Sequence, residues 1–169
     1  MKQTIVFGLL IIAFTSFGKT KTAKTNMLLT SKYSGFYSYG KNIEKERVVS
    51  ILIYAETDST ILFYIDLNRG APSYNMGSLY GRVKIKNDGG TFFTKYDYAE
   101  NGCKWSLNFT KNSLIIKTID NQYDCEFGHA VFADGTFKRK SNKIQDYFEE
   151  MEGEKVYFTK TTPEDYYKD

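Results

Sequence analysis

The sequence predicts an all-β protein, an antiparallel barrel or curled sandwich with one short C-terminal helix. Three observations carry that prediction. Apolar and polar residues alternate through run after run of the chain, the period of strands with one buried face. The runs recur roughly every 8–12 residues between short turn-forming stretches, as in sandwiches and barrels. The only two cysteines, Cys103 and Cys125, follow an apolar N-terminal leader, and export places such a pair where a disulfide persists.

The leader begins with the positive Met1-Lys2, runs uncharged and apolar from Ile5 to Phe14, and ends in the small residues Ser16 and Gly18. This is the layout of a secretory signal peptide cleaved after Gly18. The run is shorter than the ~20 residues a bilayer span needs. No cysteine follows it for a lipid anchor, and no later segment is apolar enough to span. The expected organisation is a signal peptide over residues 1–18, a flexible Lys/Thr arm over 19–30, and a single β domain over 31–169. The expected location is secreted or periplasmic. Formal net charge is +3 over 169 residues, with no basic stripe or nucleic-acid-binding module, so nucleic acid is not an expected partner.

Along the domain, residues 48–54 are apolar on both faces and predict a covered strand. Ile61, Phe63, Ile65 and Leu67 alternate with Tyr64, Asp66 and Asn68; Leu79, Gly81, Val83 and Ile85 alternate with Tyr80, Arg82, Lys84 and Lys86. Cys103, Trp105, Leu107 and Phe109 form a third inward set. Further strands are expected at 91–96, 114–119, 130–133, 136–139 and 155–159. Turns are expected at 56–59, 111–113 and Asp134-Gly135, and at Asn87-Asp88-Gly89-Gly90, whose glycines tolerate positive φ. The helix is expected over 143–152: Asn142 would cap it, Gln145 would complete a capping box, and Ile144, Tyr147, Phe148 and Met151 would form its apolar stripe before Gly153. Thr162-Pro163-Glu164-Asp165 predicts a final short turn with Pro at its first position.

A hairpin of 103–109 with 114–119 places Cys103 near Asn121, with Cys125 a few residues beyond, so a Cys103–Cys125 bridge would close the hairpin's open end. The alternative, two thiols as metal ligands, is short of the four ligands of a structural zinc site, since His129 is the only histidine. No metal or cofactor is expected. No nucleophile elbow, Walker loop or zinc-protease motif occurs, which makes His129 a structural or surface residue. Asp97 with Glu100, and Asp120 with Asp124 and Glu126, are the acid groupings from which a glycoside hydrolase would need two. Tyr33, Phe36, Tyr37 and Tyr39 cluster near the domain start and offer contact surface. The stretch Asn68 to Gly77 is the longest irregular loop expected, and its Arg69 and Tyr74, with His129, are the candidate binding residues.

Gly102-Cys103-Lys104-Trp105-Ser106-Leu107-Asn108-Phe109 and the run from Asp124-Cys125-Glu126-Phe127-Gly128 through Gly135-Thr136-Phe137-Lys138-Arg139 resemble a group of uncharacterised exported bacterial β domains. Those share a Cys before an alternating strand and a Cys-x-Phe-Gly stretch leading to a Gly-x-Tyr/Phe-x-Arg end. Some stand beside lysozyme-inhibitor-like modules. Their common form has Gly after the second Cys, where this chain has Glu126. The resemblance implies the disulfide and a bacterial envelope setting, and brings no catalytic residue. The expected function is therefore an exported non-enzymatic binding module, an inhibitor of a lysozyme-type hydrolase or a binder of another envelope protein. The alternatives are a barrel carrier of a small apolar ligand and a carboxylate-dependent glycoside hydrolase. Oligomeric state is not legible.

Overall fold

A computed structural model describes residues 28–168; the expected leader, and the arm up to residue 27, lie outside the described residues. A short 3₁₀ turn, Leu29–Tyr33, leads into ten strands: β1 (Gly35–Tyr39), β2 (Val48–Ala55), β3 (Thr60–Asn68), β4 (Met76–Lys84), β5 (Gly89–Thr94), β6 (Cys103–Phe109), β7 (Ser113–Tyr123), β8 (Gly135–Ser141), β9 (Tyr147–Glu149) and β10 (Lys155–Tyr157). One helical turn, α1 (Pro163–Tyr166), follows. The first eight strands form one antiparallel sheet in the order β4-β3-β2-β1-β8-β7-β6-β5. Consecutive strands pair with each other except β4 and β5, and β8 returns to β1. The sheet curls into a nearly closed up-and-down barrel whose seam lies between β4 and β5.

The two ends of the barrel differ. At one, three tight turns close the hairpins and the 3₁₀ turn lies across them. Thr30 Oγ1 donates to Thr57 O, the Tyr33 ring packs 4.6 Å from Phe109, and the Tyr33 hydroxyl and Lys32 Nζ donate to Asp88 at 2.6 and 2.8 Å. The Arg139 guanidinium donates to Lys32 O and the Tyr37 hydroxyl. At the other end stand four longer loops, 40–47, 69–75, 95–102 and 124–134.

Inward-facing residues fill the space between. Tyr37, Ile51, Ile61, Phe63, Ile65, Trp105, Leu107, Leu114, Ile116 and Phe137 are all fully buried. Phe63, Phe92 and Trp105 meet with ring centroids 5.1–6.0 Å apart. A Cβ added at Gly81 would lie 2.6 Å from Phe92 and 2.7 Å from Phe63. Glycine there is a packing requirement: the β4 backbone must approach two rings.

The outer face is not uniformly wet. The alternation places Tyr64 and Tyr80 toward solvent, yet they are 8% and 1% exposed. Leu62, Tyr64 and Tyr80 form a second apolar cluster with Phe148 and Phe158 from the C-terminal segment. Tyr64 stacks on Phe148 at 3.9 Å. This makes β3, not β2, the strand buried on both faces. The cover is pinned at its end by Arg82, which donates from Nε and Nη2 to Glu56 at 2.7–2.9 Å and from Nη1 to Glu164. The Tyr80 N–H, on the β4 edge that lacks a strand partner, donates to Tyr167 Oη at 2.9 Å.

That cover corrects the expected helix over 143–152. The segment forms the β9–β10 hairpin, because only Phe148 of the proposed stripe is buried against the barrel, Tyr147 packing across the hairpin on Tyr157; Ile144 is 43% and Met151 84% exposed. Gly153 (φ +83°) serves the hairpin turn rather than a helix end. The helical turn is instead at 163–166, where Thr162 Oγ1 accepts from Asp165 N and Pro163 takes the first position. Residues 130–133 form no strand. Val131 and Ala133 are buried and Phe132 exposed, but Arg47 takes the carbonyls of Phe132 and Asp134. The expected Asp134-Gly135 turn is absent too: Gly135 opens β8, and the Asp134 carboxylate accepts from Thr118 N and Oγ1 at the end of the β7–β8 ladder. In the β4–β5 turn the positive φ falls on Asn87 and Asp88, not the glycines.

Candidate binding cleft

The disulfide Cys103–Cys125 joins β6 to the loop after β7. Cys103 faces Tyr123 across the ladder, while two residues on Trp105 faces Thr118, so β7 carries a bulge here. Bulges bend the strand that holds them. Bulge and bridge together aim the 124–134 loop over the long-loop end.

That loop and the 95–102 loop enclose a cleft of about 410 Å³ lined by Tyr96, Tyr98, Tyr123, Phe127, His129 and Phe132, with Cys125 among them. Tyr96 and Tyr98 stack at 6.0 Å on one side. Tyr123 and Phe132 meet edge to face at 6.1 Å on the other. Tyr98, Tyr123 and Phe132 are 76%, 52% and 51% exposed, large rings held at a surface. Burial holds the Tyr96 phenol well above its ordinary value, with the phenol of Tyr167 and the carboxylate of Glu126 adding to the effect. Glu126 and Ala130, on the same loop, have positive φ, a backbone conformation costly for such residues and often found at functional sites.

The three candidates read from the sequence all come to this end of the barrel, though not into one cleft. His129 lines the aromatic cleft, and its carbonyl accepts from Asn75 Nδ2 at 2.7 Å. Arg69 lines a neighbouring cleft of about 250 Å³ with Arg47 and Phe132. Tyr74 lines neither; its hydroxyl donates to Glu44 at 2.6 Å, and that carboxylate raises the phenol above its ordinary value. Gly128 N also donates to Met76 O, so the 69–75 and 124–134 loops brace each other. The longest loop is 124–134 rather than 69–75, because the alternation at 130–133 mimics a strand.

The acid groupings separate into different duties. Asp120 pairs with Lys104 at 2.6 Å, Asp124 accepts from Asn101 N at 3.0 Å, and Asp97, Glu100 and Glu126 are exposed. Among the described residues no group of three His, Cys, Asp or Glu is arranged to hold a metal ion, and no helix is long and apolar enough to cross a membrane. Of the aromatics singled out near the domain start, Tyr33 and Tyr37 are core residues. Those that wall the cleft were not selected from the sequence. The available signal was their setting: Tyr96-Asp97-Tyr98 and Phe127 to Phe132 are aromatics inside irregular stretches, where strand packing does not account for them.

No protein-family model matches this chain, and neither a curated protein nor a solved structure matches it.

Proposed function

We propose that the protein is an exported, non-enzymatic binding module that engages a partner protein through the long-loop end of its barrel. The observation that carries this is the cleft rimmed by Tyr98, Tyr123 and Phe132, three exposed rings on two loops and the end of β7, braced by a disulfide. Exposed aromatics clustered on a rigid scaffold are typical of protein interfaces, since they offer contact area at low entropy cost. Export rests on the leader at 1–18 and on the pairing of the two cysteines. A lysozyme-type hydrolase is the partner that the resemblance proposes. A carrier of a small apolar ligand needs interior volume, and the packing around Gly81, Phe63 and Trp105 favours a filled barrel instead.

The test is a binding and inhibition titration of the disulfide-intact protein against c-, g- and i-type lysozymes, with Tyr98→Ala and Phe132→Ala alongside. Sub-micromolar inhibition, weakened about tenfold or more in either variant, is expected of an interface centred on these rings. Inhibition that both variants retain would move the interface elsewhere. No binding across the panel would remove the lysozyme assignment.

A further inference from the structure

Resting on that reading, we propose that the aromatic cleft receives a cationic side chain of the partner, a guanidinium or an ammonium. Charge is the first argument. The 95–102 and 124–134 loops carry Asp97, Glu100, Asp124, Glu126 and Asp134 against a single Lys95, in a chain whose net charge is +3. No Lys or Arg lines the cleft, whereas Asp124 and Glu126 do. Among the described residues, none of Asp97, Glu100, Asp124 or Glu126 forms an ion pair. By contrast, the neighbouring cleft is lined by Arg47 and Arg69, so the acidity belongs to this cleft and not to the whole end of the barrel.

The aromatic faces are the second argument, and it is independent. A cation over the face of Tyr or Phe is attracted by the ring quadrupole. Elsewhere this molecule fills that position itself: Lys32 stands over Tyr33, Arg47 over Tyr39, Arg139 over Tyr37, Lys155 over Tyr147 and Lys160 over Tyr157, at 4.5–5.1 Å. Among the described residues, no cation of the chain stands over Tyr96, Tyr98, Tyr123 or Phe132. The cleft thus combines exposed rings over which no cation of the described chain stands with carboxylates that form no ion pair. A cation entering it gains both attractions. The cleft also opens broadly to solvent, which suits a side chain presented on a protein surface better than a free small molecule that must be enclosed.

The experiment is a ¹H–¹⁵N NMR titration of the disulfide-intact protein with acetyl-Gly-Arg-Gly-amide, and in parallel with the citrulline and glutamate analogues. The Arg peptide should shift the amides of 95–102 and 124–134, less so as salt is added. The double variant Asp124→Asn/Glu126→Gln, whose changes lie on loops, should weaken that response about tenfold or more. No response to the Arg peptide overturns the inference. Equal shifts with citrulline or glutamate at the same residues overturn the charge assignment while leaving the loop end as a binding surface. Shifts confined to the tight-turn end or the outer sheet overturn both.

Discussion

Gly81→Ala isolates the claim that the barrel interior is full. Gly81 lies on the inner face of β4, opposite Phe63 in the β3 ladder, and the strand backbone there accepts any residue. On backbone grounds alone, alanine should stabilise the strand by roughly 0.5–1 kcal/mol. Against that, the new methyl would sit 2.6 Å from Phe92 Cε2 and 2.7 Å from Phe63 Cε1 and Cζ. These are ring atoms, held in turn by Trp105 at 5.3 and 6.0 Å, so neither ring can swing away alone. Overpacking of this kind costs about 1–3 kcal/mol, which leaves a net loss centred on about 1 kcal/mol, and at most about 2.5 kcal/mol, after the backbone gain. For a domain of this size the central value lowers Tm by about 2–4 °C. The assay is a thermal melt followed by circular dichroism, with the disulfide intact. An unchanged or raised Tm would mean that the rings have room to move, and the small-ligand carrier would become the better reading.

Other perturbations address other parts of the structure. Replacing both Cys103 and Cys125 with Ser removes a cross-link spanning 22 residues and should cost about 3 kcal/mol by the chain-entropy model, read as a shift in urea midpoint. Phe148→Ala, at a side chain 1% exposed between Tyr64 and Tyr80, should cost about 3–5 kcal/mol. Hydrogen exchange should show the loss first in β9 and β10. Burial raises the Asp66 carboxyl above its ordinary 3.8, opposed by a hydrogen bond from Leu67 N. The folded state therefore favours the neutral acid. That contribution is fully present below pH 3.8 and is lost as pH rises through the raised folded value. Asp66→Asn should flatten this dependence in urea melts across the acid range and be more stable than the wild type at neutral pH; an unaltered pH profile would count against it.

Much of the barrel was legible because its inner face depends only on period two. Ile61 to Leu67 and Cys103 to Phe109 alternate cleanly, and the structure places both sets inside. The disulfide was legible because hairpin register brings Cys103 close to Cys125. The outer cover was not. Tyr64 and Tyr80 look like wet-face residues until Phe148 and Phe158, far along the chain, are placed over them, and local pattern does not contain that contact. The same tertiary pairing turned the 143–152 stripe into a hairpin. At 130–133 the alternation was real, but hydrogen bonding from Arg47 replaces the ladder. That misreading also hid the length of the 124–134 loop, and with it the cleft. Arg69, Tyr74 and His129, chosen as binding candidates, all lie at the long-loop end because loops on a β scaffold gather at its ends. Tyr98 and Phe132 were not singled out because aromatics in an all-β chain are ordinarily read as strand residues.

Binding through the long-loop end can be read directly on the protein. Hydrogen–deuterium exchange of the disulfide-intact protein, alone and with each lysozyme of the panel, tests it most directly. A binding lysozyme should protect 95–102 and 124–134 and leave the 3₁₀ turn and the tight hairpin turns unchanged. Protection centred on the 3₁₀ turn, or on the β9–β10 cover, would contradict it.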